Sequence, residues 1–183
     1  MILMAALLLS LVQSSSPPSA TDLCVYDPKS LDLGFDAFDQ DPAGGWRALS
    51  AKPGCESTAA DMIRAYRMNQ ESRIPLLFWH EAQLRASIGD YGSAVGLMER
   101  SRQPAKDDRY GWNAYVDATI AFLRGDKSAL NRARDQLLQL TKPDAASAEG
   151  TWPPNIAVVD ALIRCFGQPY KIAYGATCRV PRP

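Results

Sequence analysis

The residues able to do chemistry are few: one histidine and four cysteines in 183 residues. His80 stands in Phe78-Trp79-His80-Glu81, within a stretch of helical apolar spacing, and any Ser-His-Asp arrangement would have to use it. The chain has no G-x-S-x-G elbow, no phosphate-cradling G-x-x-x-x-G-K-[ST] loop and no H-E-x-x-H helix. A histidine between apolar helical neighbours is expected to be a hydrogen-bonded packing residue. A carboxylate pair for glycoside hydrolysis is defined by separation in space, and no Asp or Glu carries a motif that marks one. Asp39-Gln40-Asp41-Pro42-Ala43-Gly44 opens like a calcium loop. It then has Ala43 at the fifth position and Ser50 where the bidentate Glu belongs. Helix capping accounts for the same acids, so the sequence assigns no catalytic residue, no metal and no cofactor.

The cysteines point to a compartment. Cys24, Cys55, Cys165 and Cys178 form an even set without C-x-x-C spacing, and a single histidine leaves a zinc site short of ligands. A disulfide framework in an oxidising space is expected. Of three possible pairings, Cys24–Cys55 and Cys165–Cys178 is the expected one, each bridge stapling one end of the domain. Met1 to Val12 is an uncharged apolar run, followed by Ser, Pro and Ala to Ala20. It reads as a signal peptide whose cleavage point is not fixed, and about 12 residues are too few to span a bilayer. The expectation is a periplasmic or secreted protein with no stable membrane insertion after cleavage. Lys plus Arg and Asp plus Glu both number 20, a net charge of zero. This argues against nucleic acid, whose binding depends on an excess of positive charge to release counterions.

These residues must be held by helices. Residues 21–40 read as an irregular lead-in with one helical turn. Asp41-Pro42 is a start signal for a short helix carrying Trp46 and Leu49. Glu56 to Asn69, Pro75 to Ile88, Ser93 to Arg102, Arg109 to Arg124, Lys127 to Leu140 and Asn155 to Phe166 follow as helices. Residues 141–154 read as a loop, and the Gly/Pro/Tyr-containing tail holds Cys178. The class is all-α. Gly54, Gly89 and Gly125 recur at intervals of 35 and 36 residues, each between two expected helices. Ala59 and Ala94 lie five residues after the first two, and Ala129 four after the third. Ala82 and Ala118 stand seven residues before the second and third glycines. Small residues at these places let antiparallel helices approach closely, and glycine relieves strain at the helix end.

Over residues 41–140 this pattern resembles the tetratricopeptide repeat family. The clearest stretch is Ile88-Gly89-Asp90-Tyr91-Gly92-Ser93-Ala94-Val95, with a shortened version at Gly125-Asp126, Ala129-Leu130 and a weaker one from Gly54 to Ala60. Two departures are Arg85 and Ala121, where the family usually has an aromatic. The resemblance implies antiparallel helical hairpins stacked as a short superhelix, continued by a terminal helix and a disulfide-anchored tail over 141–183. It also implies a groove lined by the first helix of each unit, holding a protein or peptide. Offsets from Gly89 and Gly125 put Trp79, Gln83, Trp112, Tyr115 and Thr119 on that groove, although Trp and Tyr at helical spacing can equally be core. The expected function is a non-enzymatic, exported protein- or peptide-binding module. The alternatives are a small inhibitor or immunity protein using the Cys165–Cys178 tail, and a carboxylate-dependent hydrolase. Neither the partner nor the oligomeric state is legible.

Overall fold

A computed structural model describes residues 24–144 and 151–179; the expected signal segment, 1–20, lies outside them. Every regular element among the described residues is helical. A 3-10 turn (Pro28–Asp32) and a π-helical turn (Asp36–Gln40) lead into nine α-helices. These are α1 (Gly45–Ser50), α2 (Glu56–Asn69), α3 (Pro75–Ser87), α4 (Tyr91–Arg100) and α5 (Trp112–Leu123), then α6 (Lys127–Leu138), α7 (Ile156–Arg164), α8 (Tyr170–Ala173) and α9 (Ala176–Arg179). Among the described residues no helix is long and apolar enough to cross a membrane.

The chain folds as helical hairpins, α1 with α2, α3 with α4 and α5 with α6, each packed on the next. Gly54, Gly89 and Gly125 make the tight turns within the hairpins at φ +81°, +86° and +71°. A Cβ at any of the three would meet nothing within 4 Å. It is therefore the left-handed backbone, not lack of space, that selects glycine there. After the second and third glycines an aspartate caps the next helix. Asp90 accepts from the Ser93 amide at 3.2 Å and Asp126 from the Ala129 amide at 2.8 Å.

The core divides into two clusters that share α3. Phe38, Trp46, Leu49, Met62, Ile63 and Tyr66 gather with Leu77 and Leu84 of α3. Trp79, Ala82 and Ala86 of the same helix join α4 to α8 in the larger cluster. The disulfides Cys24–Cys55 and Cys165–Cys178 close the two ends, which is the expected one of the three possible pairings. The first ties the lead-in to the start of α2, and the second ties the end of α7 to α9.

Three elements differ from their sequence reading. Asp41 does not start α1: its carboxylate accepts from the Ala43 amide at 2.9 Å, closing a local turn, and the helix begins at Gly45. Helix α5 begins at Trp112 rather than Arg109. Asp108 reaches forward, accepting from the amides of Trp112 (2.6 Å) and Asn113 (3.0 Å), and so caps the helix from outside. The tail past Gln168 forms the short helices α8 and α9 and lies on the body of the protein.

Candidate functional site

Helix α3 carries two unlike faces. Trp79 looks toward α5 and Gln83 toward α8, while Phe78, Glu81 and Arg85, at positions i, i+3 and i+7, look between α2 and α4.

On the first face the sequence-selected residues do converge. Trp79 packs edge-on to Trp112 (centroids 5.0 Å apart) and lies 4.8 Å from the Tyr115 ring. They do not line an open groove. Trp79 is 3%, Tyr115 2% and Thr119 0% exposed, which corrects their expected place on a partner-binding surface. The Thr119 hydroxyl donates back to the Tyr115 carbonyl at 3.0 Å. Trp112 is half-buried and donates its indole N–H to the Ser101 carbonyl at 2.7 Å. Gln83, also half-buried, reaches the Tyr170 hydroxyl at 3.5 Å.

The physical reason is the C-terminal segment, which covers this recess. Tyr170 of α8 is 1% exposed, its amide donating to the Tyr91 hydroxyl at 3.2 Å and its ring near Phe122. The Tyr115 and Tyr174 hydroxyls meet at 3.5 Å, and Lys171 pairs with Glu56 at the start of α2 at 2.5 Å. Burial, together with the neighbouring tyrosines, pushes the Tyr115 phenol well above its ordinary pKa.

The opposite face is open. A cleft between α2 and α4, floored by α3, divides into two lobes of about 700 and 640 Å³ that share Arg67 and Arg100. Five arginines surround it: Arg64 and Arg67 of α2, Arg73 of the following turn, Arg85 of α3 and Arg100 of α4. Two are committed to acids. Arg67 donates through Nε and Nη2 to one oxygen of Glu81, both side chains being buried. Arg85 donates to Asp61 at 2.5 Å and lies 4.0 Å from the other Glu81 oxygen. These four charges cancel, and the Arg67–Glu81 pair lies buried beneath the cleft. Among the described residues, Arg64, Arg73 and Arg100 have no carboxylate within ion-pair distance. Arg67 and Arg100 also lie over the Phe78 ring, at 4.0 and 4.3 Å from its centroid. Met68, 69% exposed, lines the same cleft, and Ile74, 38% exposed, sits beside Arg73.

His80 belongs to neither face's chemistry. Its Nδ1 lies 2.8 Å from Asp39 Oδ1, the same oxygen that accepts the Trp46 indole N–H at 2.9 Å. Asp39 is fully buried, and its other oxygen accepts from Gln40 at 2.5 Å. Burial alone would raise the Asp39 pKa. The hydrogen bond and charge of His80, the Trp46 hydrogen bond and the charge of Arg47 outweigh it and hold the carboxyl below its ordinary range. The acid that suggested a calcium loop thus fastens the π-helical turn to α1 and α3.

The cleft arginines were missed in the sequence because they are scattered over 37 positions, from Arg64 to Arg100, and each alone reads as a solvated helix charge. No family model, no curated protein and no solved structure matches this chain.

Proposed function

We propose that the chain is an exported, non-enzymatic module that binds a polypeptide partner, and that its binding surface is the α2–α4 cleft. Two disulfides at the ends of the fold and an apolar, signal-like N-terminus support a periplasmic or secreted setting. One observation carries the binding role: arginines without acidic partners and exposed Met68 stand around a cleft whose floor holds the buried Arg67–Glu81 pair. Arginine and apolar anchors around a preformed recess are the composition of interaction hot spots. The tetratricopeptide-like helical hairpins supply the scaffold in this reading, but the partner sits on the opposite side of α3 from the inner aromatic cluster.

The test is peptide display. A random library panned on the folded, oxidised protein should yield sequences whose binding is lost in Met68→Asp and Arg100→Glu but kept in Gln136→Ala, on the neighbouring α6. Enriched peptides indifferent to both cleft changes, or an absence of enrichment, would remove the cleft from consideration.

A further inference from the structure

We infer that the partner segment is acidic, its carboxylates seated on Arg73 and Arg100 at one end of the cleft and on Arg64 at the other; this rests on the polypeptide reading above. The chain's neutral total hides a local imbalance. With Arg67–Glu81 and Arg85–Asp61 satisfied, the cleft retains three cations, Arg64, Arg73 and Arg100, against two acids, Glu71 and Asp90. Asp90 keeps its charge, but its carboxylate is held by the Ser93 amide at the start of α4 and pairs with none of these arginines. That leaves guanidinium groups facing an open volume with nothing of opposite charge upon them.

Arg100 is the anchor. Stacking over Phe78 limits its rotamers before any ligand arrives, so less side-chain entropy is lost when its N–H groups engage a carboxylate. A guanidinium presents paired donors that match a carboxylate's two oxygens. The floor beneath it cannot swing up to compete, since Glu81 is buried and takes two bonds from Arg67.

An acidic polypeptide fits better than other polyanions for two reasons. Glu71 and Asp90 stand on the rim, and a uniformly charged strand or an anionic lipid surface would be repelled where a peptide can place a neutral or basic residue. Met68, and Ile74 close by, offer apolar contact to side chains, for which a phosphate backbone has no counterpart.

The experiment uses the full oxidised protein and three labelled peptides of one apolar pattern: Leu alternating with Glu, with Gln or with Lys. Fluorescence anisotropy should show the Glu peptide bound and the other two at least about tenfold weaker, the difference shrinking between about 0.05 and 0.5 M salt. Arg73→Ala and Arg100→Ala should each weaken the Glu peptide about tenfold, with Arg100→Lys between. Arg132→Ala, on α6, should leave it unchanged. Thermal melts identify any variant that unfolds; Arg73 is exposed and makes the safer second reading. Equal binding of the Glu and Gln peptides at the cleft would overturn the acidic partner while keeping the polypeptide one. No peptide binding at the cleft overturns both. Displacement of the Glu peptide by inorganic phosphate or by anionic vesicles, at concentrations where neutral vesicles do nothing, would assign the arginines to phosphate instead.

Discussion

One side of α3 is shut and the other is open, though the same helix supplies both. The shut side holds Trp79, whose neighbours Trp112 and Tyr115 are aromatic and whose cover is the chain's own α8. The open side holds Phe78, equally aromatic and 5% exposed, but hidden by arginine side chains and not by another helix. Aromatic residues at helical spacing therefore do not mark a binding face. What differs is the cover: packed helix on one side, charged side chains with their heads in solvent on the other.

That contrast can be broken or sharpened by substitution, beginning with the largest loss of stability. Trp79→Ala should cost about 3–5 kcal/mol in urea denaturation, because it empties a filled core site. A loss below about 1 kcal/mol would mean that the shut side is not core at all. Glu81→Ala, on the open side, should also cost about 3–5 kcal/mol by leaving Arg67 buried without its partner. The pair replaced together, Arg67→Met with Glu81→Leu, should recover most of that stability, which would show that the ion pair shapes the cleft more than it stabilises the fold.

Removing the second disulfide, Cys165→Ser with Cys178→Ser, should cost about 3 kcal/mol in the chain-entropy model. It should also raise the rate at which Tyr170 and Tyr115 are nitrated, read by mass spectrometry. Unchanged nitration would mean that packing alone keeps the recess covered. Asp39→Asn should cost about 1–2 kcal/mol at neutral pH through its weakened contacts with His80 and Trp46. The sign of the pH effect follows from its lowered pKa. The carboxylate stabilises the fold above its ordinary value of 3.8, and that contribution fades as pH falls through the lower folded-state value. Acid melts of the wild type should therefore lose stability below about pH 4 more steeply than those of Asp39→Asn. The smallest effect is expected of Arg64→Ala, within about 0.5 kcal/mol, since that side chain is exposed and without an acidic partner.

Much of the scaffold was legible. The glycines at 54, 89 and 125, read as turn residues from their spacing, sit in left-handed turns, and the structure adds that Asp90 and Asp126 cap the helices that follow. Both signals are local, set by backbone conformation and by amides within a few residues. The even number of cysteines made a disulfide framework legible, but it left three pairings open, and the structure selects Cys24–Cys55 and Cys165–Cys178. The start of α5 was not, because Asp108 caps it across an intervening turn.

The amino-acid sequence by itself pointed to an all-helical chain of hairpins, because helix periodicity and turn glycines act over short stretches. The tetratricopeptide resemblance placed Trp79, Trp112 and Tyr115 along one groove, and the tertiary structure brings their rings into contact. Which elements cover each face of α3 was decided only by the tertiary structure. Tyr170 lies 87 residues from the Gln83 it touches, and the arginines of the cleft belong to separate helices. Burial and charge balance are properties of what packs next to a side chain, and periodicity names the face without naming its neighbour.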